Sequence, residues 1–146
     1  MLNAAPITKL SQERLSSLRY LVLNESEASF LSDLPVSDIS SAQIAASTLR
    51  KHVPTVIITL GAEGLVYDDH THGQGFMPAF NVNAIDTTAA GDSFCGALAV
   101  KLTEGALLKE ALYVASAAGA LATTKLGAQT SIPSRKLIED FLQHGN

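Results

Sequence analysis

The chain has 146 residues, of which 47% are hydrophobic and 16% charged, with a formal net charge of −4 and an isoelectric point near 5.4. This length suits one domain with a hydrophobic core, and this composition excludes a disordered chain. The acidic balance argues against a nucleic-acid partner, and no apolar run nears the ~20 residues that cross a bilayer.

The first residues and the single cysteine bear on location. Residues 1–6 contain no charged segment followed by an apolar one, so they do not resemble a secretory signal. Cys95 is the only cysteine, which excludes an internal disulfide, and it falls in an apolar run that favours a small buried residue. We therefore expect a cytoplasmic protein.

The first third of the chain mixes helical and strand patterns. Residues 10–18 predict a short helix, and residues 19–23 (RYLVL) predict a strand buried on both faces. Asn24 and Glu27 follow this strand three residues apart, so they can share one side of an opening helical turn. There they can form a capping box, or bind a ligand at the carboxyl end of a parallel strand. Ser37 opens a further helix.

Residues 54–60 give the clearest strand pattern, because they are β-branched and are bounded by proline and glycine. Gly61 and Gly64 then predict a hairpin turn into a short strand at residues 65–67.

A polar, turn-rich segment at residues 68–75 follows, and residues 76–82 predict another strand. His70 and His72 lie within the polar segment. With no cysteine or third histidine nearby to complete a zinc set, we interpret both as solvated side chains.

Residues 86–94 (DTTAAGDSF) are the stretch around which the rest of the chain is organised. Ala89, Ala90 and Gly91 are small, so their backbone N–H groups can approach a ligand closely. The apolar run from Phe94 onward predicts a helix whose N-terminus presents unpaired N–H groups and a positive dipole end. A phosphate would suit this position.

Asp92 has two interpretations. A carboxylate at a helix N-terminus can be a cap that stabilises the helix by about 1 kcal/mol. Beside a phosphate cradle, it can also be a general base that takes the proton from a hydroxyl attacking the γ-phosphoryl group. The residues alone do not decide between these interpretations.

Two more helices are expected beyond Gly105, which breaks the pattern of the preceding helix. The first covers residues 108–124 and is rich in alanine, and the second covers residues 134–142. Gly127 can cap the C-terminus of the first.

Residues 86–99 (DTTAAGDSFCGALA) resemble the second signature of the ribokinase-like (PfkB) carbohydrate kinases. That signature has a fixed Gly-Asp pair, two small residues before it and small residues at set positions along the following helix. The resemblance implies that Asp92 is the catalytic base and that the N–H groups of Ala89, Ala90 and Gly91 form an anion hole.

The resemblance also implies an ATP site. The family has an Asn-x-x-Glu motif linked to magnesium and phosphate. The resemblance therefore assigns Glu27 to Mg²⁺ through water, because Mg²⁺ keeps much of its hydration shell. A Thr-x-Gly-x-x-Gly segment lines the nucleotide, and a residue at the place of Ser116 touches the adenine. The implied nucleotide-binding residues are Asn24, Thr59, Leu60, Gly61, Ala62, Glu63, Gly64, Gly91, Asp92 and Ser116.

Residues 125–133 (KLGAQTSIP) resemble a segment that, in ribokinases proper, surrounds an activating monovalent cation such as K⁺. The resemblance implies carbonyl ligands at Thr88, Ala122, Lys125 and Gly127, with side-chain oxygens from Asp86 and Ser131. The same segment implies ribose as the sugar.

The implied fold is a three-layer α/β arrangement in which residues 1–146 form a single domain, the carboxyl-terminal, nucleotide-binding half of such a kinase. The amino-terminal half, with the small β lid and most of the sugar site, has no counterpart here. Residues 2–6 (LNAAP) resemble the tail of a core strand of that fold. We expect the chain alone to be inactive, and its open sheet edge to favour a homodimer.

The implied function is transfer of the ATP γ-phosphate to a hydroxyl of a small sugar, with Mg²⁺ and K⁺. One alternative is a kinase of another alcohol, such as fructose phosphate, a nucleoside or a vitamin precursor. Another is a catalytically silent nucleotide-binding or assembly module, which would bind ATP analogues without turnover.

Overall fold

The computed structural model describes residues 1–3 and 12–144. The chain divides into two compact units, Met1–Pro78 and Ala79–Asn146, which we call unit 1 and unit 2. No helix in the described ranges is both long enough and apolar enough to cross a bilayer.

The part of unit 1 that the structure describes contains one five-stranded sheet. Its strands, in their order across the sheet, are β1 (Leu2–Asn3), β2 (Tyr20–Asn24), β3 (Thr55–Thr59), β4 (Gly64–Asp69) and β5 (Gly73–Pro78). The first three strands are parallel, and β4 and β5 continue the sheet antiparallel. Burial of β3 from Thr55 to Ile58 agrees with its β-branched sequence.

The described residues of unit 1 contain three helices: α1 (Gln12–Ser16), α2 (Glu25–Ser32) and α3 (Ile39–Leu49). The predicted helix at residues 10–18 therefore lies partly outside the described residues, as does most of the strand tail predicted at residues 2–6. Helix α3 begins after Asp38, whose Oδ1 accepts the N–H of Ser41 at 2.7 Å. The small residues Ala42, Ala45 and Ala46 of α3 are fully buried in the core of the unit.

The polar loop predicted at residues 68–75 is mostly strand. Only residues 70–72 separate β4 from β5, and Asp69 ends β4 as a buried residue. Its carboxylate accepts bonds from Thr55 Oγ1 at 2.6 Å and from the His72 N–H at 2.7 Å. Burial by itself would raise the pKa of Asp69, but the bonds from Thr55 and from residues 71 and 72 outweigh it, so the pKa is lowered.

The prediction of solvated histidines agrees with the structure, with one addition. His70 is exposed, and the side chain of His72 is 46% exposed while its Nδ1 lies 2.6 Å from Asp69 Oδ1. His72 thus helps to close the β4–β5 turn.

The strand predicted at residues 76–82 is wrong in its bounds, because β5 covers Gly73–Pro78. Pro78 has no N–H to continue a ladder, and a proline therefore suits a strand end. Gly75 in the same strand pairs with Tyr67 of β4. A Cβ at Gly75 would lie 2.3 Å from the Tyr67 hydroxyl oxygen, so glycine leaves the space that the buried tyrosine occupies.

Unit 2 contains α4 (Ala90–Thr103), α5 (Leu108–Thr123) and α6 (Arg135–His144). The α4 helix starts at Ala90, four residues before the apolar run, so Gly91 and Asp92 lie in its first turn. Helix α5 ends at Thr123, and its C-cap residue is Thr124 in a right-handed conformation, so the alternative in which Gly127 caps this helix does not hold. Gly127 instead has φ +92° in the following turn.

Aromatic and small side chains form the core of unit 2. Ala117 and Ala118 of α5 are fully buried, with Ile138 of α6 in the same cluster. The Phe80 ring lies 5.1 Å from the Tyr113 ring and 5.3 Å from the Phe141 ring, measured between centroids. Edge-to-face and tilted contacts of this kind stabilise a core beyond the area they bury.

Candidate active site

The loop before α4 is held by the carboxylate of Asp86. Its Oδ1 accepts the N–H of Thr88 at 3.0 Å and the Thr88 hydroxyl, and its Oδ2 accepts the N–H of Gly127 at 3.1 Å. These bonds, from the Thr88 hydroxyl first and then Gly127, lower the pKa of Asp86. The backbone N–H groups of Ile85 and Asp86 both donate to the carbonyl of Thr123 at the end of α5.

Asp92 is exposed in the first turn of α4. In the part of the chain that the structure describes, its carboxylate has no hydrogen-bond or ion-pair partner. The helix has no side-chain cap at Ala89, so Asp92 does not cap it in the way that one interpretation of the sequence expected. A solvent-facing carboxylate at a helix N-terminus is available to accept a proton.

The predicted anion hole has one difference from expectation. The N–H of Ala90 donates to the carbonyl of Thr87 at 3.2 Å and is therefore already engaged. The N–H groups of Ala89 and Gly91 have no acceptor among residues 1–3 and 12–144, as is usual for the start of a helix. The anion hole itself stays a prediction, with these two amides as its available donors.

Gly119 of α5 has a role that the sequence analysis missed. A Cβ at this position would lie 3.3 Å from the carbonyl oxygen of Ala90 and 3.6 Å from Cβ of Phe94. Glycine thus lets α5 pass close to the first turn of α4. A glycine within an otherwise alanine-rich helix was the available signal.

Ser93 was also missed as a candidate. Its side chain is buried, with 6% of the residue exposed, and Oγ has no hydrogen-bond partner among the described residues. A buried hydroxyl without a hydrogen-bond partner destabilises the folded state by about 1–3 kcal/mol, and such groups are rare in folded proteins.

Asn24 and Glu27 form the capping box that the sequence allowed. The Glu27 N–H donates to Asn24 Oδ1 and the Asn24 N–H donates to Glu27 Oε2, each at 2.9 Å. Glu27 is buried, and within the described residues its other oxygen, Oε1, has no partner. The capping role is thus present, and the assignment of Glu27 to Mg²⁺ stays a prediction.

The glycine segment after β3 lies beside this capping box in unit 1, since Asn24 and Thr59 are paired across β2 and β3. Residues Gly61–Glu63 form a single 3₁₀ turn, in which the Glu63 N–H donates to the Leu60 carbonyl at 3.0 Å. The Leu60 N–H donates to the Gly64 carbonyl at 2.8 Å and joins the two ends of the turn. Leu60 is buried, whereas the turn itself is exposed. An exposed turn at the carboxyl end of parallel strands is a usual place for ligands in α/β proteins.

The residues predicted for the monovalent cation all belong to unit 2. The Asp86–Gly127 bond brings two of them together, and Ser131 is buried with its N–H donating to the Gly127 carbonyl at 3.3 Å. Ala122 lies in the last turn of α5, and Lys125 is exposed. The donors would be mainly carbonyl oxygens, which suit a hard cation. The cation site stays a prediction.

Ser116 lies in the middle of α5 and is half-buried. Its contact with adenine stays a prediction.

A family model for the pfkB family carbohydrate kinases matches residues 2–135. The chain belongs to this family. The resemblance carried by residues 86–99 is thereby confirmed.

Ribokinases are among the relatives of this pfkB-family chain. It is 43% identical over 145 residues to the ribokinase of Haemophilus influenzae, a match that covers 99% of this chain and 47% of the relative. A Staphylococcus aureus ribokinase is 40% identical, with 98% of this chain and 46% of the relative covered. The chain therefore spans about half the length of the curated relatives it matches.

Solved ribokinases have the same fold over this length. The Thermotoga maritima ribokinase is 38% identical with a TM-score of 0.88, covering 97% of this chain and 48% of that structure. An Arabidopsis thaliana ribokinase complexed with ribose and ATP is 30% identical with a TM-score of 0.91, covering 97% and 46%. The predicted ribokinase-like α/β fold is confirmed, and the chain carries about half of it.

Proposed function

We propose that the chain supplies the ATP site and the catalytic base of an ATP-dependent sugar kinase, as the carboxyl-terminal part of the pfkB fold. The observation that carries the proposal is the exposed, unpartnered carboxylate of Asp92 beside the available amides of Ala89 and Gly91 in the described structure. Ribokinases named among the relatives, including one complexed with ribose and ATP, support this class of reaction.

In the proposed reaction, the sugar hydroxyl oxygen attacks the γ-phosphorus of ATP. The bond from this phosphorus to the β–γ bridging oxygen breaks, and ADP leaves with the electron pair. Asp92 accepts the hydroxyl proton, and the amides at the start of α4 stabilise negative charge on the transferred group. Binding through backbone N–H groups explains why small residues precede Asp92.

We assign nucleotide-binding residues separately in unit 1 and in unit 2. In unit 1 we assign it to Asn24 and to residues 59–64, and in unit 2 to Gly91, Asp92 and Ser116. Mg²⁺ would neutralise charge on the phosphates, and Glu27 fits a water-mediated role because Oε1 has no partner within the described residues while Oε2 serves the cap. K⁺ would be held by Asp86, Ser131 and the carbonyls of residues 88, 122, 125 and 127.

Ribose is the proposed acceptor, because relatives at 37–43% identity are ribokinases. Deoxyribose is a second candidate, since a deoxyribokinase of Salmonella typhimurium is 31% identical to this chain. We also propose that the chain pairs through an open sheet edge, at β1 or β5, when no other chain covers it.

The catalytic assignment is tested in a chimera in which this chain replaces the matching part of the Haemophilus influenzae ribokinase. We expect ribose-dependent ADP release, and a loss of at least ~10²-fold in kcat for Asp92→Asn with ATP affinity retained, because the base is needed in the transition state. Asp140→Asn, at an exposed position on α6, is the matched control and should keep the parent rate.

If the Asp92→Asn chimera kept the turnover rate of the parent chimera, Asp92 would not be the catalytic base. Binding of an ATP analogue without turnover by any sugar or sugar phosphate would favour the silent nucleotide-binding module. If the chimera released ADP faster with deoxyribose than with ribose, deoxyribose would be the preferred acceptor and the proposal of ribose would be wrong.

A further inference from the structure

The β5 strand (Gly73–Pro78) is the edge of the unit 1 sheet on its antiparallel side. One side of β5 pairs with β4, and in the described part of the chain no strand pairs with the other side. A sheet edge of this kind presents unpaired N–H and C=O groups to which a further strand can bond. We call this side of the strand the β5 edge.

The hydrogen bonds between β3 and β4 show how the backbone of β4 is oriented. The Leu60 N–H donates to the Gly64 carbonyl at 2.8 Å, and the His70 N–H donates to the Pro54 carbonyl at 2.9 Å. Because the backbone groups of successive residues in a strand point to opposite sides, the even-numbered residues of β4 bond to β3. The odd-numbered residues of β4 therefore bond to β5.

This register identifies the backbone groups of β5 that point away from the sheet. The residues opposite the odd-numbered residues of β4 are also odd-numbered, so the backbone groups of Gln74 and Phe76 face outward. These groups have no hydrogen-bond partner among the described residues. Pro78 faces outward as well, but it has no N–H and offers only its carbonyl. The β5 edge thus has two available donors and ends at a residue that can only accept.

The side chains of the edge leave these backbone groups accessible. The Gln74 side chain turns back onto α3, where its Nε2 donates to the Gln43 carbonyl at 2.8 Å and to Ser47 Oγ at 3.0 Å. Phe76 lies on the same face of the sheet as Gln74, because the two are two positions apart. This phenylalanine is 40% exposed, so it has apolar surface that a neighbouring strand can cover.

The β5 edge has no charge that would keep a second strand away. Natural edge strands are often protected by lysine or by other charged side chains, whereas residues 73–78 (GQGFMP) contain none. Two copies of this strand can therefore approach each other without repulsion between like charges along it, although each chain has a formal net charge of −4.

A second copy of β5 can satisfy every outward donor of the edge. With two copies antiparallel and their Phe76 residues opposite each other, the Phe76 N–H of each bonds the Phe76 carbonyl of the other. Each Gln74 N–H then bonds the Pro78 carbonyl of the other copy, and the two phenylalanine rings form a cross-strand pair. We propose that the β5 edge is a homodimer interface, at which two chains join their sheets about a twofold axis.

The symmetry of this pairing favours a second copy over a different strand. The same patch is used on both chains, and the assembly closes after two copies because neither β5 edge is then left open. At the opposite side of the described sheet, β1 is two residues long (Leu2–Asn3) and offers fewer backbone groups. The inference rests on the pairing proposed above, for which it names the edge and the register, and it does not depend on the roles of Asp92 or the metals.

Sedimentation equilibrium of the 146-residue chain over a series of concentrations measures the pairing. We expect a monomer–dimer equilibrium. Phe76→Lys should raise its dissociation constant roughly 10-fold or more, because it removes the central aromatic pair and places two like charges opposite each other. Phe30→Lys is the matched control, since Phe30 is 44% exposed on α2 of the same unit, and it should leave the constant unchanged. Both variants replace exposed side chains, and their circular dichroism should match that of the parent chain.

Cross-linking tests the register of the pairing. Phe76→Cys places two thiols opposite each other across the twofold axis, so a short bismaleimide should convert most of the dimer into a covalent pair. Phe30→Cys is the matched control for this measurement. The parent chain, whose only cysteine is the buried Cys95, is a second control. Neither control should cross-link.

A chain that is monomeric at every concentration would overturn the proposal and would leave the β5 edge to a different polypeptide. A dimer that Phe76→Lys does not weaken would also overturn it, as would equal cross-linking of Phe30→Cys. Growth beyond a dimer would mean that β5 pairs with another edge of the next copy, so the twofold pairing would be wrong. Since no ATP or sugar is present, each of these failures would leave the proposed kinase reaction unaffected.

Discussion

Asp86 is the residue on which the loop before α4 depends. Its carboxylate joins residues that are far apart in sequence, because one oxygen accepts from Thr88 and the other accepts from Gly127. No other side chain of the loop makes a bond of this reach among the described residues. The shape of the loop that carries Ala89 and Gly91 thus depends on one ionised group.

We expect Asp86→Asn to destabilise the chain at neutral pH and to lose this effect in acid. The bonds from Thr88 and Gly127 hold the pKa of Asp86 below its usual 3.8 in the folded chain. Their stabilisation is therefore fully present above about pH 4 and disappears as the pH falls through the lower, folded pKa. Asparagine cannot ionise, and one of its two side-chain positions is a donor where Gly127 needs an acceptor.

Urea unfolding at about pH 6 and at about pH 3 gives the free energy of unfolding of the parent chain and of the Asp86→Asn variant at each pH. The gap between the two unfolding free energies should narrow at the lower pH. Thr88→Val removes the hydroxyl donor to the same carboxylate, so its effect should be less than additive with Asp86→Asn. A gap that stays constant with pH would mean that the Asp86 charge does not hold the loop.

At the scale of elements, the start of α2 shows how one pair of residues can have two roles. Asn24 and Glu27 cap the helix reciprocally, which satisfies two N–H groups at the helix start. The same turn follows β2 and lies beside the Gly61–Glu63 turn that follows β3. A structural and a metal-binding role for Glu27 are therefore compatible, and substitutions can separate them.

We expect Glu27→Gln to retain the stability of the chain but to weaken its use of Mg²⁺. Glutamine still accepts a bond at this position of a capping box, whereas Glu27→Ala loses it and should cost about 1 kcal/mol. In the Haemophilus chimera, Glu27→Gln should raise the Mg²⁺ concentration for half-maximal rate roughly 10-fold or more. Urea unfolding of the chain and Mg²⁺ titration of the chimera give the two measurements.

Glu25→Gln is the matched control, because Glu25 lies in the same first turn outside the capping pair. It should change neither measurement. A Glu27→Gln chimera with the parent's Mg²⁺ dependence would assign Glu27 to the cap alone.

At the scale of the whole molecule, the chain carries about half of a pfkB kinase fold. It contains the signature at residues 86–99 and the segment at residues 125–133. The proposed activity would need the rest of the fold, which the chimera supplies.

We expect the chimera to be stimulated by K⁺ when compared with a large organic cation at equal ionic strength. The predicted carbonyl cage would lie behind the loop of Asp86, and an ion there would fix the loop that presents the amides of Ala89 and Gly91. Asp86→Asn should reduce the stimulation, measured as the ratio of ADP release rates in the two salts. Equal rates of ADP release in K⁺ and in the organic cation would contradict the predicted K⁺ site.

Much of the fold could be predicted from the sequence, because the patterns involved are local. The β-branched run of β3, the alanine-rich α5 and the capping residues of α2 depend on neighbours within a few positions. The signature around Asp92 is likewise contiguous. The predicted bounds of these segments agree with the structure to within a few residues. The apolar run predicts the start of α4 at Phe94, four residues after its true start at Ala90, because the first turn consists of small and polar residues.

The features that the sequence did not predict depend on contacts between residues that are far apart in sequence. Asp69 ends a buried strand because Thr55, fourteen positions away, donates to it, and a polar segment therefore became strand. The loop of Asp86 depends on Gly127, forty-one positions away. The amide of Ala90 is engaged by Thr87, and this depends on how the loop bends and not on which small residue stands there.

The sequence by itself determined the family, the carboxylate proposed as base and most helices and strands, since each is written in residues that are contiguous or evenly spaced. Only the tertiary structure decided which amides are available, that Ser93 Oγ is buried without a hydrogen-bond partner among the described residues, and that α4, α5 and α6 leave a largely apolar cleft. The physical reason is that burial and hydrogen-bond satisfaction belong to the packed arrangement of several segments, and no single segment contains them.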